Sequence, residues 1–357
     1  MTVPISSPNG SNEGLRGRPQ DSRLPSNDEG ISILAARTNP DAFERTLSDP
    51  AFAEIEAHPY IGAFGRAYYS AVHGGPDHSF TVCVKGAPAV VCLCAPLDGN
   101  LGFHGMPLRL VIRGDLGDDA RRAAVESTFQ HLDALMQAQC LQEAFVLVDR
   151  ERGRTLIEEA CRARGGTMCP HSIARVDLAA GPVGWRSALR KSSRSLINWG
   201  RRNLSISYVN KDTPDRALFD RYRAFHAEVA GRVTRSDMSW IVMFDWIVRG
   251  SGELIMAFLS GQLVAGSMFI DGTEISIYAS GVYDRAQFDK PLAHYPLWLG
   301  IERTQARGMR TLELGEVPSR DTVPDKEYQI GYFKRGFATQ IVEQPIWRWT
   351  SQSQVAV

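Results

Sequence analysis

One order of elements occurs twice in this chain. It runs strand, strand, strand, helix, strand, helical piece, strand, first around residues 60–178 and again over 205–350. Strands interleaved with helices must be covered on their faces, so the repeat predicts two packed α/β units. In the first copy SFTVCVKGAPAVVCLCAPL predicts two strands around Lys85-Gly86-Ala87, and PLRLVIRG a less regular one. DDARRAAVESTFQHLDALMQAQ predicts a helix with Asp118 and Asp119 at its start and Ala123, Phe129, Leu132 and Leu135 near one face. EAFVLVD is a strand, ERGRTLIEEACRARGG a helix closed by glycines, and HSIARVDL a strand.

In the second copy GELIMAFLSG and QLVAGSMFIDG form a hairpin across Ser260-Gly261, and TEISIYASGVY is a third strand. PLWLGIERTQARG is a helix, MRTLELGEV a strand and TQIVEQPIWRWT a last strand. The two copies share little residue identity. AAGPVGW at 179–185 marks a boundary, which predicts α/β domains with mixed sheets at 31–180 and 181–357, joined by a helical connector. A single open α/β sheet is the alternative. Residues 1–30, rich in Ser, Pro, Gly, Asn and Arg without apolar period, predict a disordered tail.

Charge narrows the function. Lys plus Arg number 40 and so do Asp plus Glu, which argues against coating nucleic acid electrostatically but leaves a local basic site open. The six cysteines form no disulfide framework or paired CxxC knuckles. Cys92 and Cys94 sit at strand spacing as small hydrophobes, and no metal site is expected. No apolar run approaches the ~20 residues of a membrane span, and the N-terminus carries no secretory apolar stretch, so a soluble cytoplasmic protein is expected. GxSxG, HExxH, a Walker A loop and a strand-borne GxGxxG are all missing, which disfavours ATP-grasp ligation, metallohydrolysis and NAD chemistry.

The element order of each half resembles the GNAT acyltransferase fold, in which a central strand splays and the acyl donor lies in the gap. Two such halves in one chain resemble the Fem (FemABX) family of aminoacyl transferases, including BioF2-like acetyltransferase domains. LELGEVP at 312–318 followed by GYFKRGFATQ at 331–340 is similar to that family's strand ending in Gly-acid, then Phe-Lys-x-Gly-Phe and a last strand. SALRKSSRSLINWGRRNLSISYV at 187–209 resembles its basic helix and strand. FHAEVAGRVTRSDMSW at 225–240 and YDRAQFDKPLAHYPLWLGIERTQARGMR at 283–310 are similar as well. The likeness covers most of 180–350; over the first half it rests on element order alone.

A GNAT enzyme that uses acyl-CoA holds the pyrophosphate on a Gly-rich turn, Q/R-x-x-G-x-G/A, ahead of a helix. Here RAQFDKPLAHYPLWLG offers Arg285 and Lys290 but no glycine pair, and Pro291 and Pro296 remove two amide donors. The resemblance implies another activated donor, an aminoacyl ester on tRNA, with no tightly bound cofactor. From Leu178 to Asn210 there is no acid, while Arg186, Arg190, Lys191, Arg194, Arg201 and Arg202 are cations. Arg186, Arg190 and Arg194 at i, i+4, i+8 would share a helix face suited to phosphates, with Trp199 free to stack. A solvated linker helix is the plain alternative.

Lys334 is the leading catalytic candidate. The resemblance places it beside the acyl group or an acceptor phosphate, where it can stabilise an oxyanion, with Phe333 and Arg335 on the donor side. A surface lysine and two packing aromatics are the alternative. Glu316 and Asp289 could orient or deprotonate an attacking ammonium, or serve as caps and ion pairs. Tyr332, Tyr283 and Tyr295 are candidate general acids or acceptor contacts, otherwise packing groups. His226 and Arg232 are acceptor contacts by resemblance, and His294 reads as structural. The expected function is amide formation from aminoacyl-tRNA to an amine of a small metabolite or of a cell-wall or exopolysaccharide precursor, by direct attack. The alternatives are an acyl-CoA or acyl-carrier donor, and a non-catalytic binding module. No pair of long heptad helices is present to serve as a tRNA arm, which favours a specialised-metabolite or exopolysaccharide role over a peptidoglycan one.

Overall fold

The computed structural model describes residues 30–148 and 154–350; the expected tail, except Gly30, lies outside the described residues. The first half runs β1 (Ile31–Ala35), α1 (Pro40–Leu47), α2 (Glu54–Ala57), α3 (Ala63–His73), β2 (Phe80–Val84) and β3 (Ala87–Leu93). It continues with β4 (Ala95–Leu97), β5 (Asn100–Gly102), β6 (Arg109–Ile112), α4 (Asp118–Ala138), β7 (Glu143–Leu147), α5 (Arg154–Ala163), β8 (Thr167–Cys169) and β9 (Ser172–Asp177). The connector is α6 (Gly181–Ala188) and α7 (Lys191–Asn203). The second half follows with β10 (Ser205–Val209), α8 (Arg216–Ala230), α9 (Asp237–Val248), β11 (Gly252–Leu259), β12 (Gln262–Asp271) and β13 (Ile275–Tyr283). It closes with α10 (His294–Ala306), β14 (Thr311–Glu316), α11 (Asp325–Arg335), β15 (Gln340–Glu343) and β16 (Ile346–Thr350).

Both expected hairpins form, across Lys85-Gly86 and Ser260-Gly261. Among the described residues three sheets result, ordered β1-β2-β3-β6, β4-β5-β7-β16-β8 and β10-β11-β12-β13-β14-β9-β15. The halves exchange strands. β9, from the first half, lies between β14 and β15 of the second, and β16, from the end of the chain, lies between β7 and β8 of the first. Chain order and sheet order therefore diverge at the expected boundary near residue 180. The single last strand expected over TQIVEQPIWRWT is two strands in two sheets. Apolar burial follows the exchange, because Trp347 and Trp349 pack in the first-half core and Ala174, Val176 and Leu178 in the second.

The seven-stranded sheet of the second half has two covered faces. On one, α8 and α9 bury Phe219, Tyr222, Trp240 and Met243 against Leu254, Met256 and Met268. On the other, Trp185 and Ile197 from the connector and Leu297, Trp298 and Ile301 of α10 pack on Ile255, Phe269 and Leu312. First-half residues also reach that domain. Phe64 of α3 joins the α8–α9 core, and Thr273 N–H donates to the Glu56 carbonyl at 3.0 Å.

The connector departs from the expected continuous helix. Leu189 and Arg190 are extended (ψ 132° each), so α6 and α7 are separate. Leu189 is buried in the core, and Arg190 N–H donates to the Gly336 carbonyl at 3.1 Å; this tertiary bond replaces a helical one. Arg186, Arg190 and Arg194 consequently share no helix face.

Candidate functional site

β13 pairs with β14 only over Ile275–Ile277, opposite Thr311–Glu313. Past that point β14 keeps to β9, and β13 follows β12 as far as Tyr283. A wedge opens between them. From Tyr278 onward one edge of β13 has no strand partner among the described residues, leaving backbone groups for a ligand. The register slips so that Ala279 has no opposite residue on β12, a bulge that re-aims the strand within the wedge.

Lys334, near the end of α11, reaches the other wall. Its Nζ donates to the Glu316 carbonyl at 3.4 Å and lies 2.9 Å from where a Cβ on Gly315 would stand. Gly315 has φ +92° at the irregularity in β14, a conformation that L side chains resist. The glycine thus permits both the bulge and the approach of the cation. Burial lowers the Lys334 pKa to about 8, and the Glu316 carboxylate opposes that shift. Phe333 and Phe337 pack edge-on at 5.3 Å, and His294 meets them at 5.1 and 5.9 Å. Burial, with a further push from Arg190, drops His294 to about 4, so its ring is neutral between aromatic neighbours.

Glu316 ends β14 within electrostatic reach of Lys334 and of His171, which precedes β9. His171 Nδ1 is buried without a partner, and burial lowers the residue's pKa. Sequence reasoning passed over His171 because the strand exchange brings it here. It also passed over Glu313, buried at 2% exposure and held by His58 and Arg175.

The remaining candidates scatter. Asp289 is 74% exposed in a pair with Lys290 at 3.5 Å, a solvated ion pair rather than a carboxylate held for proton transfer. Tyr332 is 46% exposed beneath the Arg190 guanidinium, 3.9 Å away. Arg190 also donates to the Tyr332 carbonyl at 3.3 Å, so its charge serves the C-terminal end of α11. Arg186 pairs with Glu302 at 2.6 Å over Trp185 and Trp298. Lys191 and Arg194 are exposed in the first turn of α7, where the helix dipole disfavours cations. Trp199 packs beside Leu204 and Leu292 instead of standing free, and Tyr295 presses its Cβ to 2.4 Å from the Cβ position of Gly200. Arg335 donates to the Val317 carbonyl at 3.0 Å. Tyr283 packs at a tilt against Phe288 with centroids 5.6 Å apart, Arg285 is exposed and lines an open groove beside α8, and Arg232 is exposed past the end of α8. His226 bonds Arg235 at 2.9 Å.

No protein-family model matches the chain, and no curated protein does. Solved structures do. "FemX" superposes with a TM-score of 0.58 at 14% identity, covering 84% of this chain and 95% of its own. A tandem GNAT protein from the clavulanic acid biosynthesis pathway gives 0.57 at 12% identity, covering 90% and 98%. L-PGS from Bacillus licheniformis gives 0.55 at 12% identity, covering 88% and 93%. The chain has the Fem-type tandem GNAT-like fold. The wedge between β13 and β14 is the splay of its second GNAT-like unit.

In that GNAT-like unit the helix that follows the splayed strand is α10. It begins at His294 behind Ala293, with no side-chain cap and with Pro296 in its first turn. No glycine lies there to let backbone amides wrap a pyrophosphate. In the first unit the matching helix α4 follows Gly117, but Asp118 and Asp119 open it. Arg113 and Arg121 are engaged with Asp115 and Asp118. Neither helix start fits the pyrophosphate of a coenzyme.

Proposed function

We propose that this protein is an N-acyltransferase that moves an amino acid from aminoacyl-tRNA to an amine within the wedge between β13 and β14. The observation that carries the reading is the Lys334 ammonium, bonded to the Glu316 carbonyl beside Gly315 where β14 has parted from β13. An amine attacking the ester carbonyl forms the new C–N bond and places negative charge on the carbonyl oxygen. Lys334 and backbone N–H groups of β13 stabilise that oxyanion, which then collapses with release of the ribose hydroxyl. Glu316 takes the proton from the attacking ammonium, and one proton leaves with the hydroxyl. The ester is already activated, so positioning and charge stabilisation supply most of the rate.

Lys191 and Arg194, exposed and without a described acidic partner, would meet tRNA phosphates beside α11. The acceptor is an amine on a small metabolite or on a cell-wall or exopolysaccharide precursor. Acyl-CoA is the second reading of the donor, favoured by the AcCoA in the name of the clavulanic acid pathway protein. The test is transfer of radiolabel to amine acceptors from a charged tRNA pool and, in parallel, from acetyl-CoA. Amide formation from charged tRNA alone supports the first donor; formation from acetyl-CoA alone replaces it with the second.

A further inference from the structure

Arg235 is a half-buried guanidinium on the α8–α9 face, and every described partner it has is neutral. Its Nε donates to the Tyr68 hydroxyl at 2.8 Å, and a terminal nitrogen bonds His226 Nε2 at 2.9 Å and the Thr234 hydroxyl at 3.4 Å. The guanidinium sits 5.3 Å above the Trp240 ring. Asp237, the nearest acid in sequence, is engaged by Arg223 instead. His226 accepts from Arg235 and so is neutral, in keeping with a pKa pushed down to about 4 by burial and by Arg235 itself. A cation withdrawn from water without a counter-charge is unfavourable, and an incoming oxyanion would relieve it.

The place of this cation gives it a substrate to meet. One turn before His226, Tyr222 donates to Ser280 Oγ at 2.8 Å, and Ser280 lies on the unpartnered stretch of β13. The Tyr222 and His226 rings stand 6.2 Å apart. Tyr60 of the first half lies within electrostatic reach of both Arg235 and Glu313, whose strand β14 forms the other side of the wedge. Arg235 stands on the sheet face opposite α7 and α10.

We infer that the acceptor is an amine that also carries an oxyanion, carboxylate or phosphate, seated on Arg235 and Tyr68 while its amine reaches the edge of β13. The inference rests on reading that wedge as an acyl-transfer site, but its test needs no donor. Saturation-transfer NMR on the full chain would compare β-alanine, L-lysine and O-phosphoethanolamine with β-alaninamide, L-lysinamide and ethanolamine. The anionic amines should bind at least tenfold tighter than their neutralised counterparts, and the phosphate and carboxylate arms identify which oxyanion fits.

Arg235→Gln should erase that preference, while Arg249→Gln, which removes an exposed cation at the end of α9, should preserve it. Arg235→Lys and Tyr68→Phe, which retain bulk, serve if Arg235→Gln lowers the melting temperature, and each should weaken the preference. Equal binding of both sets, a preference that survives the Arg235 and Tyr68 variants, or no binding of any probe at millimolar concentration overturns the inference. Anionic binding with no transfer from any donor would sink the acyl-transfer reading alone. Transfer to neutral amines would sink this inference alone.

Discussion

Glu313 Oε2 of the second half and His58 Nε2 of the first stand 2.9 Å apart, although 255 residues separate them. Arg175, on the exchanged strand β9, closes the group at 2.6 Å from Glu313. Burial alone would raise the Glu313 pKa, but His58 and Arg175 outweigh it and hold the carboxyl at about 2. A carboxylate so depressed contributes stability that is full above its ordinary value of 4.5 and is lost as pH falls toward 2. Glu313→Gln should flatten the acid limb of stability in that window, read by urea unfolding. Glu313→Ala, which leaves Arg175 without its partner, should cost ~3–5 kcal/mol.

Lys334 gives a second prediction. Lys334→Met should leave the melting temperature unchanged or higher, because it removes a buried cation, and should lower transfer by ~10²–10³, the usual effect of losing one oxyanion donor. With a pKa of about 8 the cation is lost as pH rises through that value, so wild-type turnover should fall there. Stability moves the other way. Between about 8 and the ordinary 10.5 the unfolded chain binds the proton and the folded one does not, so stability rises with pH across that span.

Gly315→Ala tests the approach that positions Lys334. A Cβ would meet Nζ at 2.9 Å and would force an alanine to φ +92°. Turnover and stability should both fall, by ~1–2 kcal/mol in stability for the backbone conformation alone. Gly331→Ala, where φ is ordinary and the nearest atom lies at 3.1 Å, is the milder control.

The basic turn of α7 gives the fourth. Lys191→Glu with Arg194→Glu should weaken tRNA binding and reduce its salt dependence without changing the fold, since both side chains are exposed. Arg190→Glu should lower stability as well, because Arg190 bonds the Tyr332 carbonyl and covers its ring. Circular dichroism melts separate the two outcomes.

Local signals in the sequence carried much of this fold. Alternating β-branched residues and Gly-containing turns located β2, β3, β11 and β12, and the acidic start and apolar stripe located α4. What local pattern does not encode is the partner of a strand. HSIARVDL reads as a strand wherever it pairs, and its place between β14 and β15 depends on contacts with residues far along the chain. The break at Leu189-Arg190 was illegible for a similar reason, since no proline or glycine marks it and a bond to Gly336 makes it. Lys334 stood out through the motif around it, and the structure places it against Gly315 and Glu316. Arg235, on which the acceptor proposal rests, did not stand out in the sequence, because charge alone does not tell an exposed cation from a half-buried one.

The donor separates the aminoacyl-tRNA reading from the acyl-CoA one. The most direct measurement is binding of total tRNA by filter retention at low and moderate salt, with coenzyme A followed by thermal shift, on wild type and the Lys191→Glu, Arg194→Glu variant. Saturable, salt-sensitive tRNA binding that the variant loses, with no shift by coenzyme A, is the predicted result. Stabilisation by coenzyme A with no retention of tRNA at low salt would contradict it.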